Sequence, residues 1–503
     1  MHHSQASGTQ TRHPIVVPSR SDNMLRTWTE AVGGPLGTRT SPGQTNPGFF
    51  TVERVLVLMA AVSALIAVMT KSHCRTAGWT TPDQYSTVCF SVFPNAFVDD
   101  SVGTLLPFFS QGSPFEQPVL AGWIATITAW LTGSAGTGAL RQLAFFDVNA
   151  ALIVAAWITA VVLVARTSGR RVWDAAMVAA SPVLILMAYV SWDFWAAALV
   201  SAGIYLFARK KTLSAGVFFG VAALAAPYPI FILMTLVFLG IRTGHVAKML
   251  ELIAAAAIAW LLGLAPIMAI NPPAFPDYLK NLISADATES SLYGGINLIA
   301  ARMGWPTLEI GAINAMSGML LILLVAGLLG LAIYTPRTPR VAQLVFIAAA
   351  GFMVLNKGTE PWHAVWLVPL IALAMPRWRP VLVWQAAIVT HFIALMLFRS
   401  KSLGNISNQH AIDTPFFLMA AVIGTVATCI MVGLVIRDMF VPAYDVVRRA
   451  GVADPQGGVL LEPRAESLME KDSGEGLPGK ELPRKELPRK ELPGQAPKIA
   501  EVR

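Results

Sequence analysis

Charged residues are scarce in this sequence. Asp, Glu, Lys and Arg make up 13% of its 503 residues and hydrophobic residues make up 55%, whereas about 25% of a typical soluble domain is charged. This composition excludes an ordinary soluble domain and indicates a polytopic membrane protein. The net charge of +8 does not indicate nucleic-acid binding, because Lys and Arg lie mainly in short clusters between apolar stretches. That arrangement is the positive-inside pattern, with the lipid bilayer as the nearest partner.

Motifs for nucleotide and metal binding are also missing. The sequence has no P-loop, no Rossmann glycine fingerprint and no His or Cys spacing typical of a metal site. We therefore predict no metal and no nucleotide cofactor. An enzyme on the outer face of the membrane would need a donor delivered on a lipid carrier.

Cysteine is rare, with three residues in the chain. Cys429 lies in the last apolar stretch, where a small buried hydrophobe is the expected role. Cys74 and Cys89 lie on one polar segment that the charge pattern places outside the membrane, in a compartment that permits disulfides. A disulfide between these two residues is favoured, with two free thiols as the alternative.

The apolar stretches predict an all-α polytopic membrane protein with about 12 transmembrane helices within residues 51–436. Disordered cytoplasmic tails are expected at 1–50 and 437–503, because both are rich in polar residues and proline. The predicted spans are 52–70, 143–165, 175–190, 194–207, 212–225, 229–241, 249–269, 311–333, 341–355, 362–375, 380–398 and 415–436.

Loop charges set the predicted orientation. Lys and Arg are concentrated on one side only if residues 118–131 do not cross, so this stretch is predicted to be interfacial or re-entrant. The protein is then a multi-pass plasma-membrane protein with both termini in the cytoplasm. Two long loops, 71–142 and 271–310, lie on the outer side.

Three carboxylates on the first outer loop are candidates for chemistry. Asp99 and Asp100 follow an apolar stretch, where a partly desolvated carboxylate can act as a general base toward an attacking hydroxyl. A solvated acidic turn is the alternative. Glu116 precedes the short stretch at 118–131, where it caps a helix or contacts the same substrate.

Other polar groups are predicted to lie on the same side of the membrane. Asn356, Lys357 and His363 join two spans, and Lys357 is suited either to a lipid phosphate or to contact with lipid headgroups. The tight turns that carry Asp193 and Tyr228 complete the predicted donor-binding set. An ordinary turn acid is the alternative role of Asp193.

The order of short motifs resembles a known enzyme group. The motifs are Cys-(14 residues)-Cys-Phe-Ser, Glu-Gln-Pro-Val-Leu-Ala-Gly, Arg-Arg-Val-Trp-Asp, Ser-Trp-Asp, Ala-Ala-Pro-Tyr-Pro, Asn-Pro-Pro-Ala-Phe and Asn-Lys-(5 residues)-His-Ala-Val-Trp-Leu-Val-Pro-Leu. They are similar to those of actinobacterial polyprenol-phosphate-sugar dependent GT-C glycosyltransferases of family eighty-seven. That resemblance implies transfer of a mannosyl or arabinofuranosyl unit from a polyprenyl-phosphate sugar to a cell-envelope lipid or glycan acceptor.

Two alternatives stay open. Three departures favour a non-catalytic relative that acts as a scaffold or lipid-binding partner. They are Val92, at a position that is acidic in that group, Pro227, in a motif that lacks the group's lysine, and the altered segment around Asn356-Lys357. A transporter is less favoured, because the spans contain few charges and show no paired broken helices. The sequence leaves the oligomeric state open.

Overall fold

The computed structural model describes residues 15–18, 22–32, 51–97, 117–133, 135, 138–403 and 411–462, and every regular element in them is helical. The first α-helices are α1 Asn23–Val32, α2 Val52–Met69, α3 Ser72–Ala77, α4 Asp83–Ser86, α5 Val92–Ala96, α6 Val119–Leu131 and α7 Ala139–Thr167. Next come α8 Ala176–Ala179, α9 Pro182–Met187, α10 Asp193–Ala208, α11 Thr212–Ala223, α12 Tyr228–Thr243, α13 Val246–Ile270 and α14 Ala274–Ser284. The last are α15 Leu292–Met303, α16 Ile310–Tyr334, α17 Val341–Leu355, α18 Leu367–Ala374, α19 Trp378–Leu403, α20 Thr414–Phe440 and α21 Val446–Arg449. Short 3₁₀ helices span Gly169–Ala175, Pro361–Trp366, Pro442–Tyr444 and Gly458–Leu461.

Length and composition identify the membrane-spanning elements. Among the described residues, six helices are long and apolar enough to cross a membrane, namely α2, α7, α13, α16, α19 and α20. Shorter apolar helices, including α10, α11, α12 and α17, pack among them. The described part of the chain is therefore all-helical, as in a polytopic membrane protein. The expected number of about twelve crossings stays a prediction.

Burial distinguishes central helices from peripheral ones. Nearly all residues of α17 and all of α18 are buried, which is the pattern of helices surrounded by other helices. In contrast, α2 exposes Leu58 and Leu65, and α16 exposes Ile322 and Leu323. Apolar side chains on an outer surface suit contact with lipid rather than water.

Two glycines bring α11 and α13 into close contact. Gly216 and Gly220 are four positions apart, so they lie on the same face of α11. A Cβ atom at either position would collide with a backbone carbonyl of α13, that of Leu252 or Ala256 respectively. Small residues at this spacing let helix backbones approach closely inside a membrane.

The predicted span 175–190 is not one continuous helix. It divides into α8 and α9, because Ser181 and Pro182 interrupt it and proline cannot continue the hydrogen bonds of a helix interior. The Ser181 hydroxyl donates to Gln385 Oε1 at 2.7 Å, and the Val183 N–H contacts the same oxygen at 3.4 Å. Gln385 thus supplies the partner that the interrupted backbone requires in an apolar environment.

One end of the bundle, called here the arginine end, holds buried ion pairs. Arg340 precedes α17 and its side chain is fully buried. It donates to Asp445 at 2.8 and 3.1 Å and to the carbonyls of Leu373 and Ala374. Arg377, before α19, pairs with Asp438 at 2.8 Å. These pairs satisfy charges that the interior would otherwise leave unpaired.

The segment 441–462 packs across the arginine end. Gln456 donates to the carbonyl of Thr167, at the end of α7, while Asp454 accepts from the N–H of Val341, at the start of α17. These contacts satisfy helix-terminal groups that have no partner within their own helix. The tail expected from residue 437 therefore does not begin there, and residues 463–503 lie outside the described part of the chain.

The N-terminal region also contains structure that composition did not predict. Helix α1 lies within residues 1–50, which were expected to be a disordered tail. The Asp22 side chain accepts from the backbone N–H groups of Met24 and Leu25 at 2.9 and 3.2 Å, which is an N-cap. The N–H of Val16 donates to the carbonyl of Arg170 at 2.9 Å.

The opposite end of the bundle carries the first part of loop 71–142. Cys74 and Cys89 are joined by a disulfide, with their Cα atoms 5.8 Å apart. Arg75 binds Asp147 of α7 through two hydrogen bonds of 2.9 and 2.8 Å. The Trp79 ring packs on Phe146 with centroids 4.9 Å apart. The disulfide-closed segment is therefore fixed to α7.

We expect Asp445→Asn to lower the free energy of unfolding by about 3–5 kcal/mol, because it leaves Arg340 as a buried charge without a carboxylate. The matched control is Glu462→Gln. Glu462 pairs with Lys210 at 2.8 Å, but both side chains are about half exposed, so the control should cost much less than Asp445→Asn. Thermal or denaturant unfolding in detergent measures both. Equal effects of the two variants would contradict a structural role of the buried pair.

Removal of the disulfide gives a second stability prediction. Cys74→Ser and Cys89→Ser should each cost about 3 kcal/mol, the loop-closure value for a 15-residue loop. The double variant should cost little more than either single variant, because both remove the same bond. Mass spectrometry of the unreduced protein is the direct check. Full alkylation of both thiols without reductant would show that the bond is absent.

Candidate functional site

A cavity of about 200 Å³ lies at the disulfide end of the bundle. Helix α6 contributes Leu120 and Ile124, the start of α10 contributes Asp193, and the 3₁₀ turn Pro361–Trp366 contributes His363. This volume is below the roughly 300–1,000 Å³ of a pocket for a drug-sized ligand. One small polar unit matches its size and its mixed lining.

Asp193 is the central carboxylate of this cavity. It stands in the first turn of α10, where the positive end of the helix dipole favours an acidic side chain. Its Oδ1 accepts from Trp366 Nε1 at 3.2 Å, and its Oδ2 accepts from the Ser191 hydroxyl. The side chain remains 16% exposed, so the carboxylate is held in position and still faces the cavity.

His363 faces Asp193 across a gap of 3.8 Å between Nε2 and Oδ2. That distance is longer than a hydrogen bond, so the two groups face each other without a direct bond. The backbone N–H of Glu360 donates to His363 Nδ1 at 3.1 Å, so the neutral imidazole carries its proton on Nε2. In that tautomer His363 is a donor toward the cavity, and Asp193 is the acceptor.

Stacked aromatic rings form one wall beside these groups. The His363 ring stacks on Trp366 with centroids 4.4 Å apart and planes within 9°. Trp366 in turn stacks on Tyr228 at 4.8 Å. Because Trp366 also donates to Asp193, the stack fixes the carboxylate and the imidazole relative to each other. The buried Tyr228 hydroxyl has no hydrogen-bond partner among the described residues.

A second polar group lies next to the cavity. Arg399 binds Glu360 at 2.6 Å and Glu289 at 2.7 Å, and its guanidinium lies 5.7 Å from the centre of the Trp362 ring. Burial raises the pKa of Glu360, and the adjacent Arg399 opposes this effect. Glu360 and Trp362 both line the cavity, so this group supports its wall.

The structure brings together only part of the predicted site. Asp193 and His363 share the cavity, and Tyr228 lies behind Trp366. Lys357 does not point to the cavity, because its ammonium donates to the carbonyls of Ile283 and Ala285 at 2.8 and 2.7 Å and caps the end of α14. Asn356 caps the end of α17.

The predicted catalytic residues Asp99 and Asp100, and the predicted binding residue Glu116, lie outside the described residues. The described chain stops at Phe97 and resumes at Gln117. Gln117 lines the cavity, as does Val92 of α5. Both described sides of the gap are therefore close to the site, and the roles of the three carboxylates stay predictions.

Sequence reasoning missed Glu289 and Arg399, which are 110 positions apart in the chain. The sequence did contain a signal for them. Arg399 is a cation on the side of the membrane that the positive-inside pattern leaves poor in cations. Such a cation implies an acidic partner. The pattern does not say which of several loop carboxylates that partner is.

A metal site is not evident in the described residues, since no group of three or more His, Cys, Asp or Glu side chains is arranged to hold an ion. No protein-family model, curated protein or solved structure matches this chain. The resemblance to family eighty-seven glycosyltransferases therefore stays a prediction.

Lys71 is a further buried cation near this end of the bundle. Its ammonium donates to the carbonyl of Phe90 at 3.0 Å and lies 6.0 Å from the centre of the Phe392 ring. None of the described carboxylates forms an ion pair with it. Burial lowers the pKa of Lys71 to about 7.

The burial of Lys71 predicts that the difference in stability between the wild type and the Lys71→Met variant depends on pH. The pKa of Lys71 is about 7 in the folded protein, against an ordinary value of 10.5, so the unfolded chain binds more protons between these two values. The wild type should therefore gain stability relative to the variant as pH rises from about 7 to about 10. Unfolding midpoints in detergent measure the difference.

Lys401→Met is the control, because Lys401 is about half exposed. Its stability difference from the wild type should change less over the same range. Parallel pH profiles for the wild type and Lys71→Met would show that Lys71 has an ordinary pKa in the folded protein.

Proposed function

We propose that this protein is a membrane-embedded glycosyltransferase that transfers a mannosyl or arabinofuranosyl unit from a polyprenyl-phosphate sugar to a cell-envelope lipid or glycan. The observation that supports it is the cavity carboxylate Asp193, held by Trp366 and Ser191 beside stacked aromatic rings at one end of an apolar bundle. A lipid-linked donor reaches such a site from the bilayer, and the acceptor hydroxyl reaches it from the polar side.

The reaction has a simple balance. The acceptor oxygen forms a bond to the anomeric carbon of the sugar, and the bond from that carbon to the phosphate oxygen breaks. Polyprenyl phosphate leaves with the bond electrons. The proton of the acceptor hydroxyl passes to a carboxylate, which acts as the general base.

Asp193 is suited to receive that proton. The tautomer of His363 places an N–H opposite the carboxylate, so His363 positions and supports it rather than competing for the proton. Asp99 and Asp100 are the other candidates for the base. The proposal includes a GT-C-like arrangement of about twelve spans, with the cavity on the outer face of the plasma membrane and both termini in the cytoplasm.

One observation favours the non-catalytic alternative, a lipid-binding or scaffold relative. Lys357 was the candidate for binding the donor phosphate, but its ammonium donates to two backbone carbonyls. Arg399, the other cation near the cavity, binds two carboxylates. Neither is free to neutralise a phosphate leaving group without giving up these contacts.

Transfer assays with the purified full-length protein test the proposal. The donors are radiolabelled decaprenyl-phosphate mannose and decaprenyl-phosphate arabinofuranose, offered with lipid and glycan acceptors from a cell envelope. The wild type should transfer label with one donor. Asp193→Asn should lower the rate by about 10²–10⁴-fold, the contribution of a general base.

Two further variants test which carboxylate acts as the general base. Asp83→Asn is the matched control, because Asp83 is an exposed aspartate at the same end of the bundle, and it should retain activity. The double change Asp99→Asn and Asp100→Asn compares the other candidate base. If that variant loses transfer while Asp193→Asn keeps full activity, the general base is on the first loop. No transfer by the wild type with any donor would favour the non-catalytic alternative.

A further inference from the structure

Helix α14 is amphipathic, and none of its 11 residues is buried. Residues three, four and seven positions apart lie on one face of a helix. The apolar face of α14 has this spacing in Phe275, Tyr278, Leu279 and Leu282. The polar face has the same spacing in Asp277, Lys280, Asn281 and Ser284. Apolar and polar side chains are thus fully separated on a helix that no other element encloses.

The contacts at its two ends give the direction of α14. It begins shortly after Ile270, the last residue of α13. At its other end, the carbonyl of Ile283 accepts from Asn314 Nδ2 near the start of α16 at 2.9 Å, and from Lys357 Nζ at 2.8 Å. Both α13 and α16 are long and apolar enough to cross a membrane. Because each end of α14 lies at the end of such a helix, α14 runs across the cavity end of the bundle.

Only the first half of the apolar face packs on protein. The Phe275 ring contacts Trp260 of α13 with centroids 5.6 Å apart, and Tyr278 stacks on Phe275 at 6.4 Å. In the second half, large apolar side chains remain open. They are 43%, 44% and 64% exposed in Leu279, Leu282 and Ile283 respectively.

The next helix of the same loop repeats the pattern. Helix α15 has exposed apolar side chains at helical spacing, namely Leu292, Ile296, Ile299 and Met303. Asn297 of this helix accepts from the N–H of Leu308 at 2.7 Å, directly before α16 begins. Both helices therefore adjoin the start of α16, which itself exposes Ile322 and Leu323.

We propose that α14 is an interfacial helix that binds the lipid bilayer at the cavity end of the bundle. Its side chains Leu279, Leu282 and Ile283 contact acyl chains, while Asp277 and Lys280 face headgroups and water. The ends of membrane-spanning helices lie at headgroup depth, which places α14 at that level. Amphipathic helices in this position bury their apolar face about 5–10 Å into the boundary between headgroups and acyl chains.

A protein partner is a poorer match for this surface. Exposed apolar side chains continue from α14 to α15 and α16, and lipid is a medium that covers several such helices at once. A single partner helix would cover one stripe and leave the others open. The inference does not depend on the proposed transferase activity, because its test measures lipid contact and not transfer.

Site-directed spin labelling of the full-length protein in phosphatidylcholine vesicles tests the position of α14. Cys429→Ala removes the free cysteine, and Cys74 and Cys89 are joined in the disulfide. Leu282→Cys then carries a nitroxide on the apolar face, and Lys280→Cys is the matched control on the polar face. Oxygen concentrates among acyl chains and a nickel chelate stays in water, so the collision rates of the nitroxide with each reagent distinguish the two media.

The label in Leu282→Cys should collide more with oxygen than with the nickel chelate, and the label in Lys280→Cys should show the reverse. Equal access of the nickel chelate to both labels would overturn the proposal, because both faces would then be in water. Low access of both reagents in Leu282→Cys would also overturn it, because protein would then cover this face. If Leu282→Cys does not fold, Leu279→Cys gives the same comparison with Asp277→Cys as its control.

Discussion

The structure depends on one constraint, which is that polar groups inside an apolar bundle need partners within the protein. Gln385 supplies the partner for the interrupted helix at Ser181, and Arg340 is matched by Asp445 and two carbonyls. Two of the exceptions lie at or near the cavity. The Tyr228 hydroxyl and the indole N–H of Trp195 are buried without a partner among the described residues, and Trp195 lines the cavity. Unsatisfied donors beside a polar cavity are groups that a bound ligand can satisfy.

The same constraint explains the difference between the two ends of the bundle. At the arginine end, the segment 441–462 covers the helix termini and closes the ion pairs, so its charges have structural roles. At the cavity end, Asp193 keeps 16% of its side-chain surface exposed although three donors face it. A carboxylate that is held in place and still accessible is arranged for a ligand. One that is held and sealed, such as Asp445, is arranged for stability.

Hydrophobic length predicted the helices that carry the fold, because a bilayer fixes how many apolar residues a crossing needs. The predicted span 311–333 and the helix Ile310–Tyr334 agree within one residue at each end. The break at Ser181 was missed although Pro182 marks it, because the span was assigned from hydrophobic length alone. The packed segment 441–462 was missed because its proline and glycine residues break up the apolar ones, so no stretch is long enough to predict a helix. Its structure comes from long-range hydrogen bonds to helix ends that no local pattern reveals.

The sequence predicted only the side of the membrane on which the candidate site lies. Alternating spans placed Asp193 and His363 on one side, but their facing positions depend on Trp366, which stacks on one and donates to the other. Lys357 lies on the predicted side of the membrane but not in the site. Its ammonium donates to backbone carbonyls at the end of α14 instead. Helix α10 carries Asp193 in its first turn and is buried along most of its length. A site that stands on a packed helix keeps its geometry better than one on a loop. Trp366 and Ser191 therefore hold a carboxylate whose backbone is already fixed.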